Sequence, residues 1–237
     1  MAHGKVSALD VEFCDALVAS LNDIARGPSR ALVLTGTGST FSAGVDLFRL
    51  LNEGSAYLKR FLPALDRYFR ALLTFPKPAV AAVNGHAIAG GCIAAAACDH
   101  RLMAAGRARI GVAELAVGVP FPVLPFEIVG ARVERTKFRE LVYTGRVVEP
   151  DEAVAVGFID EVVQPESLMA LAQAVAERLA SIPPKSFELT KRAFTTPIIA
   201  TVQASIDLNA EVATAWESPI VQNRVREYLE KTVGKAR

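Results

Sequence analysis

The sequence predicts an α/β core followed by a helical tail, and three observations carry that expectation. Short β-branched apolar runs alternate with stretches of helical periodicity along the first two-thirds of the chain. The runs at 31–35 and 80–83 stop at Gly36 and at Asn84-Gly85. From Glu166 onward only helical patterns remain, punctuated by proline.

The elements follow in order. Phe13, Leu17, Leu21 and Ile24 recur at helical spacing, and Ala31-Leu-Val-Leu-Thr35 reads as a buried strand. Residues 58–73 are helical and stopped by Pro76 and Pro78, after which Val80-Ala-Ala-Val83 makes a second short strand. The alanine-rich run 91–98 predicts a tightly packed helix. Residues 101–104 and 159–163 read as further strands, with a helix over 134–143 between them. The tail predicts helices over 166–180, 185–194, 202–216 and 219–233, broken at Pro183-Pro184, Pro197 and Pro219. No internal repeat or linker forces a second domain, so the expected division is a core over 1–165 and a helical region over 166–237.

Composition narrows the function classes. A hydrophobic share of 51% over 237 residues supplies a continuous core. Lysine and arginine total 26 against 25 acidic residues, so no global charge draws the chain to nucleic acid or to an anionic membrane surface. The longest apolar candidate, 78–98, is interrupted by Asn84-Gly85 and Gly90-Gly91, which excludes a simple membrane span. Cys14, Cys92 and Cys98 lack metal-ligand spacing with the three histidines, and no secretory leader precedes them. A reducing cytoplasmic setting with no metal is the expectation.

Two segments about forty residues apart carry the chemistry: Phe41-Ser-Ala-Gly-Val-Asp46 and Asn84-Gly-His-Ala-Ile-Ala-Gly-Gly-Cys92. Each follows an apolar run and opens into helix-like sequence, so each can present unhindered backbone N–H groups at a strand-to-helix turn. Two such turns can hold one oxyanion. Nucleotide motifs fail: in Gly36-Thr-Gly-Ser-Thr-Phe41 a phenylalanine stands at the third glycine position of the dinucleotide fingerprint, and no Gly-Lys-Ser/Thr follows. Gly-x-Ser-x-Gly and His-Glu-x-x-His are also absent.

With Lys77-Pro-Ala-Val-Ala-Ala-Val-Asn-Gly85, Cys98-Asp-His-Arg101, Glu114-Leu-Ala-Val-Gly118, Tyr143-Thr-Gly-Arg146 and Glu152 to Val163 added, the chain resembles the enoyl-CoA hydratase/isomerase, or crotonase, superfamily. The correspondence runs in order over about three-quarters of the chain. It implies a crotonase-like ββα spiral core with a C-terminal helical region, and an acyl-CoA thioester substrate whose coenzyme A is part of the substrate, with no separate cofactor. It further implies that the N–H groups of Ala43 and Gly90 bind the thioester oxygen as it becomes an enolate. Around them the resemblance places Phe41, Ser42, Asp46, Leu47, Gly91, Ile93, Pro120 and Phe121 at the substrate.

Hydratases of this superfamily hold a water between two glutamates. Here the first of those positions is Ile93 and the second is Glu114. Moving a double bond needs only one base, which removes a proton and returns it elsewhere. The pattern therefore resembles the mitochondrial-type delta-3, delta-2-enoyl-CoA isomerases, with Glu114 as the base. The segment 119–126, Val-Pro-Phe-Pro-Val-Leu-Pro-Phe, replaces the glycine-rich loop of hydratases and is expected to wall Glu114 from water and raise its pKa. Packing a core or trimer interface is the other reading of that segment.

Other residues carry weaker readings. Asp46 is expected to cap the following helix and Asp99 to tie the end of its helix to a neighbouring backbone. His86 and Cys92 have no visible catalytic partner and read as packing residues. Arg132, Arg135 and Arg139 share a helical face, and Lys77, Lys191 and Arg192 are candidates for the nucleotide end of coenzyme A. Leu47, Leu50, Leu51, Tyr57, Leu58 and Phe61 are expected along the acyl pocket. The resemblance also implies a homotrimer or a dimer of trimers, with the C-terminal helices covering the sites, and a strand pair ahead of Val6-Ser-Ala-Leu-Asp10. This chain has almost nothing there, so either its start is truncated or the sheet edge is reduced. Three functions stay open: isomerase, hydratase or other crotonase-type enzyme, and silent acyl-CoA-binding protein.

Overall fold

The computed structural model describes residues 1–233. Its first half repeats one unit three times: a strand, a second short strand, then a helix. The first repeat is β1 (Leu32–Thr35), β2 (Thr40–Ser42) and α2 (Leu47–Leu73), preceded by α1 (Val11–Arg26). Next come β3 (Ala79–Val83), β4 (His86–Ile88) and α3 (Gly90–Ala97), then β5 (His100–Ala104), β6 (Ile110–Gly111) and α4 (Glu114–Val117). The helices α5 (Val123–Gly130), α6 (Arg135–Thr144) and α7 (Pro150–Val156) lead to β7 (Glu161–Val163). The tail is α8 (Leu168–Ala180), α9 (Pro184–Ala204), α10 (Ile206–Glu217) and α11 (Pro219–Val233).

Each repeat contributes one strand to each of two parallel sheets, ordered β1-β3-β5-β7 and β2-β4-β6. The larger sheet is buried on both faces, which explains the continuous apolar run of β3. Alternation divides its residues: Val80, Ala82, Leu102 and Ala104 pack on Leu168, Ala172 and Ala176 of α8. Ala79, Ala81, Val83 and Met103 face the main core, which α1, α2 and α3 complete. Two buried or half-buried cations brace this frame. Lys77 Nζ donates to the carbonyls of Ile24, Gly27 and Ser29 at the end of α1. Lys191 of α9 reaches Asp99 at 2.8 Å, and the same Asp99 oxygen accepts the Ala79 N–H.

The smaller sheet was not legible in the sequence, because strands of two or three residues carry no periodicity. The predicted break at Pro197 is also corrected: α9 runs through it to Ala204. Proline removes one intrahelical bond, and packing of Ile198, Ile199 and Val202 against the core keeps the helix continuous. Helix α2 bends at Gly54, whose φ of 63° and ψ of −150° interrupt its regular backbone. Among the described residues no helix is long and apolar enough to cross a membrane.

Candidate active site

The carboxyl ends of β2, β4 and β6 lie side by side, and each opens into the helix of its repeat. Ala43, Gly90 and Glu114 stand at these three openings. After β2 the chain is fastened by the Ser42 hydroxyl, which donates to the Ser7 carbonyl at 2.7 Å and accepts the Gly44 N–H at 3.2 Å. Gly44 has φ of 83°, and a Cβ there would lie 2.7 Å from the Ile88 carbonyl, so only glycine lets the two turns meet. Asp46 accepts the Arg49 N–H at 3.0 Å and starts α2.

The second turn is held by Ala89, a non-glycine residue at φ of 49° and ψ of −116°. Such a conformation is maintained only by surrounding structure and concentrates at functional sites. It makes Gly90 the first residue of α3, and no backbone group among the described residues accepts the Gly90 N–H. The N-terminus of α3 therefore offers a donor with favourable dipole alignment. Gly91 fits α3 against β2: a Cβ there would stand 2.3 Å from the Ser42 carbonyl oxygen.

Glu114 begins α4 and is 7% exposed. Its Oε2 has no hydrogen-bond partner. Burial pushes its pKa up to about 7, opposed only by a bond to its own backbone N–H. It is the one carboxylate among the described residues lining a cavity of about 90 Å³ that also contains Ala43, Gly90, Ile93 and Leu47. The rest of the lining is apolar or aromatic: Val45, Leu65, Phe69, Val117, Val119, Pro122 and Pro125, with Trp216 from α10 and Tyr228 from α11. A half-neutral carboxyl in an apolar enclosure, beside a free N–H at a helix start, is equipped to move a proton next to a developing oxyanion.

The scan of family models matches residues 3–235 to the enoyl-CoA hydratase/isomerase family. This chain belongs to that family and to the crotonase superfamily. A protein of Thermus thermophilus that bears an enoyl-CoA hydratase name is 36% identical over 94% of this chain and 89% of its own length. The human mitochondrial enoyl-CoA delta isomerase 1 is 27% identical, covering 95% of this chain and 76% of that protein. The crystal structure of human mitochondrial delta3-delta2-enoyl-CoA isomerase superposes with a TM-score of 0.94 at 25% identity, over 98% of this chain and 92% of that one.

Within this crotonase fold, several expected substrate contacts take other places. Phe41 is fully buried in the main core, Ser42 and Asp46 hold the first turn, and Gly91 serves helix packing. Pro120 and Phe121 lie outside the cavity lining: the Pro120 carbonyl accepts the Trp216 indole N–H at 2.9 Å, and Phe121 packs edge-on to Phe126. From the same segment Val119, Pro122 and Pro125 form the wall instead. Of the α2 residues, Leu47 lines this cavity, whereas Leu50, Tyr57 and Phe61 are buried away from it. Lys77 and Lys191 are engaged as described, so neither is free for coenzyme A. Arg132 precedes α6 and donates to the Ala96 and Cys98 carbonyls, which removes it from the supposed arginine face. Burial drives the Cys92 thiol well above its ordinary pKa, with Glu114 adding to the effect, so it offers no thiolate nucleophile.

Sequence reasoning missed Trp216 and Tyr228. Their only signal was aromatic character within otherwise mixed tail helices, and a cluster of Leu50, Leu58, Val117, Val119, Trp216 and Val225 is what brings those helices over α4.

One expectation met a competitor. The Ala43 N–H donates to the Val6 carbonyl at 3.0 Å, so of the two expected oxyanion donors, Ala43 and Gly90, only Gly90 has no backbone acceptor among the described residues.

Proposed function

We propose that this protein is a delta-3, delta-2-enoyl-CoA isomerase acting in fatty acid metabolism. The observation that carries the reading is that Glu114 is the single carboxylate among the described residues lining the cavity, with Ile93 at the position where the resemblance to hydratases would put a second one to help hold water. Glu114 takes a proton from the carbon between the thioester carbonyl and the double bond of a 3-enoyl-CoA. The charge spreads into a dienolate whose oxygen rests on the Gly90 N–H. Ala43 adds a second donor once its amide turns from Val6 or is shared with it. Glu114 then returns the proton at the far end of the dienolate, giving the conjugated 2-enoyl-CoA with no net change in atoms. One oxyanion donor is worth about 10² to 10³ in rate, and positioned proton transfer about 10² to 10⁴.

Hydration of a 2-enoyl-CoA is the second reading, favoured by the hydratase name of the Thermus relative. The test is to incubate the purified protein separately with a 3-enoyl-CoA and a 2-enoyl-CoA, resolving products by mass. Shift of the double bond without water addition supports the isomerase; hydration of the conjugated substrate replaces it with the hydratase. Turnover of neither, with tight binding, leaves an acyl-CoA-binding protein. A homotrimer remains part of the proposal, supported by the exposed Phe194 and Ile220 on the tail helices and tested by sedimentation.

A further inference from the structure

The wall beside Glu114 includes a segment that cannot hold itself. Pro120 and Pro122 carry no amide proton, and the stretch 119–122, between α4 and α5, makes no regular structure. Its place is set from outside. At its start the Gly118 and Val119 N–H groups donate to the Glu114 carbonyl at 2.9 and 3.0 Å, so the wall and the base share a backbone anchor. The Pro120 carbonyl accepts the Trp216 indole N–H at 2.9 Å, and just beyond the segment the Asn209 side chain accepts the Val123 N–H at 3.2 Å. Both of these side chains belong to α10.

Trp216 does two things at once. It is 2% exposed on the last turn of α10, and it lines the same cavity as Glu114. Its carbonyl accepts the Gln222 side-chain amide of α11 at 2.8 Å, which ties it to both tail helices. A buried indole sets one donor and a large apolar face in fixed relation. Here the donor grips the wall and the ring closes the pocket. Water beside a carboxylate stabilises its charge and exchanges its proton, and both effects fall away when apolar surface seals the site.

We propose that Trp216 is a positioning residue for the reaction: it holds the 119–122 wall against Glu114 and shuts the pocket to water, so that the proton taken from the substrate is returned to the carbon chain before solvent replaces it. The role rests on the isomerase reading of the Glu114 cavity and adds to it the group that retains the transferred proton. Carbon 2 loses the proton, the electron pair moves through the dienolate, and carbon 4 gains the same proton. No other reactant enters. The other ionisable side chains around this pocket, among the described residues, are Tyr228 of α11, Arg224 of α11 lying over Gly118, Cys92 of α3, and Glu217 next to Trp216. Burial raises the Glu114 pKa with no charged neighbour contributing, so water admitted to the pocket lowers it.

Two variants test the role, each checked for a native fold by circular dichroism. Trp216→Phe keeps a ring and loses the donor, and Trp216→Leu loses both. With a 3-enoyl-CoA in D₂O, early product from the wild type should carry deuterium at carbon 4 in a minority of molecules, and early product from either variant in a majority. The kcat/KM profile, rising near pH 7 in the wild type, should rise lower by about one unit or more in the variants. Either readout staying at the wild-type value in both variants overturns the proposal, whatever the loss in rate. A third arm needs neither variant nor turnover. Trp216 is the single tryptophan of the chain, so its emission reports on this pocket alone. Emission should titrate near pH 7 in the wild type and not in Glu114→Gln, and should shift on addition of hexanoyl-CoA. Such a titration in a protein that moves no double bond keeps Trp216 at the base, and the isomerase reading alone fails. Emission indifferent to the Glu114 charge overturns the proposal even where the variants do not fold.

Discussion

The amide of Ala43 donates to the carbonyl of Val6 at 3.0 Å, although Ala43 stands at the mouth of the Glu114 cavity. The bond belongs to a short parallel contact in which Leu9 N–H donates to the Gly44 carbonyl and Asp46 N–H to the Leu9 carbonyl. An oxyanion is a stronger acceptor than a peptide carbonyl, so substrate should draw this amide away. In a hydrogen-exchange and amide-resonance experiment, Ala43 should be protected in the free protein and should shift on addition of an acyl-CoA. A resonance that ignores ligand would leave Gly90 as the sole donor.

Replacing Glu114 by glutamine keeps the shape and removes the proton carrier. Isomerase kcat should fall by about 10² to 10⁴ while the affinity for a saturated acyl-CoA changes little. Retention of full turnover would remove Glu114 from the proposed mechanism.

Because the base must be ionised to accept a proton, and burial holds Glu114 at about 7, kcat/KM should rise with pH through that value and level above it. An ordinary exposed glutamate would already have reached its plateau near pH 6. A profile of initial rates from pH 5 to 9 distinguishes the two.

Stability should run in the opposite direction. The folded carboxyl titrates at about 7, against a reference of 4.5, so between these values the native state retains a proton that the unfolded chain has lost. Raising pH through this window therefore erodes stability, and the loss is complete above about 7. Glu114→Gln is neutral throughout and should be the more stable protein at pH 8. The gain is on the order of 2 kcal/mol, once the amide's own unpartnered burial is set against the relieved charge. Urea unfolding at pH 5 and pH 8 should give a smaller difference at the lower pH.

Lys191 and Asp99 form an almost fully buried pair between α9 and the end of α3. Lys191→Met should cost about 3 kcal/mol by stranding the carboxylate. Adding Asp99→Asn should recover part of that loss, since the amide oxygen still accepts the Ala79 N–H. Urea midpoints of the two single variants and the double measure the coupling.

These residues mark where sequence reasoning succeeds. β1 and β3 were legible because they sit in a sheet buried on both faces, where a run of apolar residues is itself the signal. The longer helices were legible through their periodicity, whereas α4, α5 and α7, of only four to eight residues, span too few turns to show one and were not. Glu114 was found by register with the motif around it, and its place beside Gly90 and Ile93 depends on three adjacent strand ends that share no local sequence. Lys77 and Lys191 were misread because a long cation declares nothing about a partner 50 or 92 residues away. Trp216 and Tyr228 were invisible for the same reason: the cavity they complete exists only after the tail has folded over α4.

The division of labour between the two sheets bears on how this enzyme should fail. The larger sheet and its helices hold most of the core, whereas the turns that shape the reaction centre hang from strands of two or three residues fastened by a few loop contacts. Small, weakly interlocked units open at lower free energy than the frame that carries them. On gradual warming, the reaction centre should lose its shape while the frame is intact. Inactivation would then precede melting, and recovery on cooling would need only the short strands to find their neighbours again.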